Sequence, residues 1–248
     1  MTTRRRSTAR TARAKPGEAF AELVAIMARL RSPRGCPWDR EQDHRSLRQC
    51  LLEEAYEVLE AIDADDPAAL RQELGDVLLQ VLFHAQLASE EGRFDIVDVM
   101  QGLHEKLVKR HPHVFGDKVI ETAEGVLAEW HSIKQEEMAH TPAQQIGAVP
   151  RTLPALVRAQ KTQRRAERAG WKRSANDVHG AVERCLSRLA TAACPSEVES
   201  VIGELLFGVA DLARTYQVDA EQALRERVNG FVKETTAALL RRGLLRHG

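Results

Sequence analysis

The sequence has few aromatic residues, no long apolar run and no cysteine pair with the spacing of a metal site. Aromatic residues make up 4% of its 248 residues, and strands are usually enriched in them, so helices are favoured over sheets. No apolar run of about 18 residues occurs, so no membrane span is expected. The four cysteines form no CxxC motif, which argues against a zinc ribbon or thioredoxin-like site and is typical of a cytoplasmic protein.

Charge is unevenly distributed along the chain. Basic and acidic side chains each number 36, but residues 1–15 hold six basic side chains and no acidic one. This composition predicts a disordered basic tail over residues 1–16. The remainder carries 30 basic against 36 acidic side chains, and this balance argues against nucleic acid as a partner.

Apolar residues recur at helical intervals along most of the chain, which predicts an all-α fold of helix-bundle type. In the second predicted helix the core stripe is Leu47, Leu51, Ala55, Val58 and Ile62. The sequence DADDP follows it as a turn, in which Asp65 or Asp66 can cap the next helix and Pro67 suits its first position. The predicted helices cover about 17–31, 45–63, 67–91, 95–110, 122–139, 155–169, 177–193, 197–215 and 219–241.

The two halves of the sequence are related. LGDVLLQVLFHAQLA at 74–88 matches IGELLFGVADLA at 202–213, which indicates a duplicated helical module. Three prolines in residues 141–154 indicate a linker. The predicted modules are therefore residues 17–140 and 155–248.

Five acidic side chains flank the DADDP turn at helical spacing. They are Glu53, Glu54, Glu57, Glu73 and Asp76. Residues three apart share a helix face, so Glu54 projects with Glu57, and Glu73 projects with Asp76. Because the turn makes the two helices antiparallel neighbours, these four carboxylates are expected to converge.

Such a group of acids has two interpretations. One is a solvated face that forms ion pairs with Arg48 and Arg71. The other is a cation site, which Asp76 favours because apolar residues surround it and predict its burial. A desolvated carboxylate beside others needs a compensating cation. Oxygen ligands without His or Cys indicate Mg²⁺, or Mn²⁺ as a substitute, rather than zinc.

These residues resemble a known family. EExxE at 53–57 followed by ExxD at 73–76 is similar to the motif of the MazG-like, all-α nucleoside triphosphate pyrophosphohydrolases, and other segments match the two-repeat form of that family. Those segments are GCPWDREQ at 35–42, EGRFD at 91–95, KRHPHVFGD at 109–117, WHSIK at 130–134 and RTLPALVRAQK at 151–161.

The resemblance implies Mg²⁺-dependent hydrolysis of canonical or damaged nucleoside triphosphates to the monophosphate and pyrophosphate, by a homo-oligomer whose modules assemble at interfaces. It places the ion on Glu54, Glu57, Glu73 and Asp76. Lys106 and Arg110 would hold the triphosphate, and Trp130 would lie near the nucleotide. Glu53 could orient or deprotonate the attacking water, and Trp38 either stacks on the base or fills the core.

The second half departs from this pattern. It has Val201 and Glu204 where the first half has Glu73 and Asp76, and Gly230 and Glu234 where the first half has Lys106 and Arg110. The first module is therefore predicted to be catalytic and the second degenerate.

Two alternatives remain open at this point. A di-iron carboxylate bundle would need E-x-x-H pairs, which these motifs lack. A non-catalytic protein that binds nucleotides or a regulatory partner would use a degenerate site.

Overall fold

The structure is a computed structural model that describes residues 15–138 and 141–241. Within those ranges all regular structure is helical, which confirms the predicted all-α class. No described helix combines the length and the hydropathy that crossing a membrane requires. The described helices are α1 Pro16–Arg31, α2 Pro37–Glu41, α3 Arg48–Asp63, α4 Pro67–Glu90, α5 Ile96–Arg110, α6 Pro112–Phe115, α7 Ala123–Met138, α8 Pro142–Gly147, α9 Ala155–Arg168, α10 Ala175–Thr191, α11 Pro195–Thr215 and α12 Ala220–Arg241.

The chain divides into two compact units. The first ends at Val126 and the second begins at Leu127, so the division lies within α7. The sequence places its boundary later, in residues 141–154, where the structure has the short helix α8. Three short helices that the sequence did not predict, α2, α6 and α8, each begin with proline. Proline suits the first turn of a helix as well as it breaks a longer one.

The first unit is organised around the hairpin of α3 and α4. Asp66 caps α4 by accepting hydrogen bonds from the backbone N–H groups of Ala68 and Ala69, as one of the two predicted caps. Asp65 takes the left-handed backbone conformation (φ 50°) that reverses the chain. Helix α1 packs against α4. The buried cluster of this unit is Met27, Leu47, Phe83 and Leu87.

The predicted core stripe of α3 is wrong in most of its positions. Leu47 is buried, but Leu51 and Ile62 are exposed, because α3 packs mainly on α4 within this unit and leaves its other faces uncovered. The helix also begins at Arg48 rather than at residue 45. The carboxylate of Asp43 accepts hydrogen bonds from the N–H groups of Arg45 and Ser46 at 2.7 Å each, and this local turn competes with helix formation.

The second unit has its own hairpin, formed by α10 and α11, with α9 packed against α11 and α12. Gln160 on α9 is buried and joins these helices. Its amide nitrogen donates to the carbonyls of Ala210 and Val218, and its amide oxygen accepts from the N–H of Ala220. The buried amide therefore fixes the start of α12 against α9.

Candidate active site

The hairpin of the first unit brings three of the predicted carboxylates together. One oxygen from each of Glu54, Glu57 and Glu73 lies within 4.8 Å of the others. Glu57 and Glu73 are each eight residues from Asp65, so the antiparallel turn places them side by side across the hairpin. The i, i+3 spacing places Glu54 one turn along the same face of α3.

Mutual repulsion perturbs the protonation of this cluster. The pKa of Glu54 is raised by desolvation and by the charges of Asp76, Glu57 and Glu73. The pKa of Glu73 is raised by desolvation and by the charges of Glu57 and Asp76. The carboxylates thus lie close enough to destabilise one another's charged forms, and a cation would relieve that repulsion.

The charge of Asp76 acts on the cluster, but Asp76 is not buried, contrary to the prediction. Its side chain is half-buried. The neighbouring apolar residues Leu74 and Leu79 are themselves exposed, because the apolar surface of this part of α4 is only partly covered within the chain. Asp76 is therefore not the buried lone aspartate that the sequence predicts, but it lies close enough to Glu54 for its charge to raise the pKa of Glu54.

Glu53 is not one of the three clustered carboxylates. It is exposed, and its carboxylate accepts a hydrogen bond from Gln49 Nε2 at 2.9 Å. It directly precedes Glu54, so its side chain projects about 100° around the helix from that of Glu54, and it lies about one turn before Glu57.

The donor set of the cluster fits a hard divalent cation. Its atoms are carboxylate oxygens, the ligands that Mg²⁺ and Mn²⁺ prefer. Glu54 and Glu73 are half-buried and Glu57 is exposed, which leaves room for water and for a second ligand on the ion. Desolvation and the neighbouring carboxylates together raise the pKa values of Glu54 and Glu73, and a bound cation would offset both effects.

The remaining predicted site residues are distributed over both units. Trp38 on α2 is 55% exposed and meets Phe83 edge-on, with 6.5 Å between ring centroids, so it does not fill the core. Lys106 is exposed and Arg110 half-buried on α5, which packs on α4. Trp130 lies in the second unit, with the ammonium of Lys134 4.8 Å from its ring centroid.

Two further polar residues lie on α4 beyond Asp76. Gln80 is 5% exposed, and its Oε1 has no hydrogen-bond partner among the described residues. His84 is half-buried, and its Nδ1 lies 2.8 Å from Nδ1 of His44, so one ring donates and the other accepts. Burial and the His44 charge lower the pKa of His84. Asp76, Gln80 and His84 are spaced four residues apart, which places all three on one face of α4. This spacing is the feature of the sequence from which their common position could be predicted.

The second unit lacks an equivalent cluster among its described residues. Val201 is completely buried. Glu204 is engaged by Arg188, and Glu234 by Arg227. The positions that the predicted repeat would make equivalent to Glu73 and Asp76 therefore hold a hydrophobic residue and a neutralised carboxylate.

Comparison with known proteins identifies the family of the chain. Residues 42–115 match the family described as "MazG nucleotide pyrophosphohydrolase domain". The chain is 45% identical to the nucleoside triphosphate pyrophosphohydrolase/pyrophosphatase MazG of Thermotoga maritima, over 88% of this chain and 84% of that protein. It is 41% identical to the nucleoside triphosphate pyrophosphohydrolase of Escherichia coli K12, over 90% of this chain and 89% of that protein.

A third relative, the nucleoside triphosphate pyrophosphohydrolase of Mycobacterium tuberculosis, is 36% identical over 92% of this chain and 62% of its own length. An all-helical fold, a carboxylate cluster on a helical hairpin and these matches define one class of protein. The chain belongs to the MazG nucleotide pyrophosphohydrolase family and is therefore an enzyme.

Proposed function

We propose that the chain hydrolyses nucleoside triphosphates to the monophosphate and pyrophosphate, with Mg²⁺ held by the carboxylate cluster of the first unit. The observation that carries this proposal is the convergence of Glu54, Glu57 and Glu73 within 4.8 Å. The relatives whose names specify nucleoside triphosphates cover most of this chain, which supports the substrate class.

In this proposal Glu54, Glu57, Glu73 and Asp76 hold the ion. Bound Mg²⁺, for which Mn²⁺ can substitute, supplies positive charge to the phosphate oxygens and to the attacking water. The four carboxylates fix where that charge lies, and phosphoryl transfer depends mainly on such positioning. Glu53, held by Gln49, orients the water or accepts its proton.

Substrate binding requires cations as well as the metal site, because a triphosphate carries several negative charges. Lys106 and Arg110 lie one helical turn apart on α5, so both can face the same phosphate chain. Trp38 exposes an aromatic face at which a base can stack. Trp130, with Lys134 over its ring, is proposed as the second aromatic of the nucleotide site.

We further propose that the enzyme is a homo-oligomer assembled through the α3–α4 hairpin. Both helices expose large apolar side chains beside the carboxylate cluster. Those on α3 are Leu51, Leu52, Tyr56, Leu59 and Ile62, and those on α4 are Leu74, Leu79 and Val81. A contiguous apolar surface of this kind is typical of a protein interface, and a second copy of the hairpin would complete a helical bundle.

The four cysteines form no disulfide, in keeping with a reducing compartment, so we place the enzyme in the cytoplasm. Incubation of the full chain with each canonical and several oxidised triphosphates tests the function. Release of pyrophosphate together with the monophosphate is expected, whereas orthophosphate with the diphosphate would contradict the assigned reaction.

A further inference from the structure

The second unit contains a small cavity that the proposed reaction does not use. It has a volume of about 100 Å³ and is lined by parts of α9 and α11 and by the loop after α9. The residues that matter for its chemistry are Thr162, Gln163, Trp171, Arg173, Phe207 and Asp211. The volume is below the roughly 300–1,000 Å³ typical of a pocket for a whole drug-sized ligand and below the roughly 150 Å³ of a cavity that binds benzene, so the cavity can take up only the edge of a flat ring.

Gln163 gives this cavity an unpartnered acceptor. The residue is 8% exposed, and its Nε2 donates to the carbonyl of Phe207 at 2.8 Å. Its Oε1 has no hydrogen-bond partner among the described residues. An unpartnered buried amide oxygen is destabilising, and a ligand that brings an N–H group to it would remove that cost.

Two aromatic side chains stand at the cavity with much of their surface in water. Trp171 is 74% exposed, and Phe207 is also exposed. The left-handed conformation of Gly170 (φ 99°) turns the chain at the end of α9, which brings Trp171 to the cavity wall. An exposed indole is an unfavourable apolar surface that a flat ligand can cover by stacking.

The charges around the cavity are balanced, which excludes a ligand that depends on net charge there. Asp211 is 2% exposed and accepts hydrogen bonds from Arg173 at 3.2 Å and from Arg214 at 2.8 Å. Arg214 also donates to Glu167 at 2.5 Å. The two guanidinium groups are thus paired with the carboxylates of Asp211 and Glu167. The space beside them is suited to a neutral, polar and aromatic ring.

We infer that this cavity binds a nucleobase, so that the second unit holds a nucleoside or nucleotide without hydrolysing it. A nucleobase is planar and neutral, stacks on Trp171 and presents N–H donors to Gln163. Its sugar and any phosphates lie outside the cavity. The described residues of the second unit form no carboxylate cluster that could hold a metal ion for hydrolysis, because its α10–α11 hairpin has Val201 and the Arg188–Glu204 pair instead. The inference does not depend on the proposed reaction of the first unit.

Tryptophan fluorescence of the full chain tests the inference directly. The chain has three tryptophans, so Trp38→Phe with Trp130→Phe leaves Trp171 as the sole indole. In a buffer with EDTA, which disables a metal-dependent first site, titration with adenosine, guanosine, cytidine or uridine should quench this fluorescence saturably for at least one nucleoside. In the same background Gln163→Leu should weaken the saturable binding at least several-fold.

Equilibrium dialysis with labelled nucleoside provides the matched comparison. Trp171→Ala should weaken binding at least about fivefold, the lower range for a base stacked on an aromatic ring. Tyr216→Ala removes another exposed aromatic of the same unit, outside the cavity, and should leave binding unchanged. Fluorescence that stays constant into the millimolar range, or binding that Trp171→Ala leaves intact, would overturn the inference. Nucleosides have no phosphate to cleave, so neither result depends on the hydrolytic reaction.

Discussion

Arg188 and Glu204 form an ion pair across the α10–α11 hairpin, with Nη1 and Oε2 2.5 Å apart. The hydrogen bond from Arg188 and its charge neutralise the carboxylate, and the same contact raises the pKa of the guanidinium. In the first unit the equivalent hairpin carries carboxylates that repel one another. The carboxylates of the first hairpin thus raise one another's pKa values, whereas the carboxylate of Glu204 is neutralised by Arg188.

Removal of the basic pair on α5 should weaken triphosphate binding. Lys106→Ala and Arg110→Ala should each raise the dissociation constant of a non-hydrolysable triphosphate about tenfold or more, because a hydrogen bond to a charged group contributes roughly 1.5–3 kcal/mol. Titration calorimetry with Mg²⁺ present measures this. Arg93→Ala is the control, since Arg93 is an exposed cation of the same unit that pairs with Glu91. Equal affinities in all three variants would show that the α5 pair is ordinary surface charge.

The raised pKa values predict a pH-dependent stability difference in metal-free protein. Because folding raises the pKa of Glu54 above its ordinary value of 4.5, the folded state binds the proton more tightly than the unfolded state. Ionisation of this group therefore destabilises the fold at neutral pH, and the effect disappears as the pH falls through the raised pKa towards 4.5.

In EDTA, Glu54→Gln should consequently melt above the wild type at neutral pH, and the difference in Tm should shrink on acidification. Glu60→Gln removes an exposed carboxylate of the same helix outside the cluster and should show no such pH-dependent difference. A constant Tm difference across this range would mean that folding does not raise the pKa of Glu54.

Charge placed on the α3–α4 surface should disrupt assembly. Ile62→Lys introduces an ammonium into the apolar surface proposed to contact a second copy, so light scattering after size exclusion should detect a smaller species. Val119→Lys makes the same change at an exposed apolar residue outside the hairpin and should leave the mass unchanged. A wild-type chain that is already monomeric would refute the proposed interface.

The sequence was most informative where local patterns determine structure. The cap at Asp66, the turn before Pro67 and the convergence of Glu54, Glu57 and Glu73 follow from helical spacing and one short turn. Burial was less predictable, because the apolar stripe of α3 does not show whether its partner belongs to the same chain. Leu51 and Ile62 are exposed, although the stripe predicts them as core residues.

Contacts between distant segments were outside the reach of periodicity. The His44–His84 pair joins residues 40 positions apart, and the cavity at Gln163 combines α9 with α11. Neither follows from spacing within one helix. The short helices that begin at Pro37, Pro112 and Pro142 were missed because proline also marks loops.

Pyrophosphate release by the full chain shows whether the carboxylates of the first unit support metal-dependent hydrolysis. Release should stop in EDTA and return with Mg²⁺ or Mn²⁺. Glu57→Gln and Asp76→Asn should each slow it at least ~10²-fold while the chain stays folded, whereas Glu204→Gln in the second unit should change it less than about twofold, because that carboxylate lies outside the site. Near-wild-type release by Glu57→Gln and Asp76→Asn, or loss of release in Glu204→Gln, would contradict the assignment of the active site to the first unit.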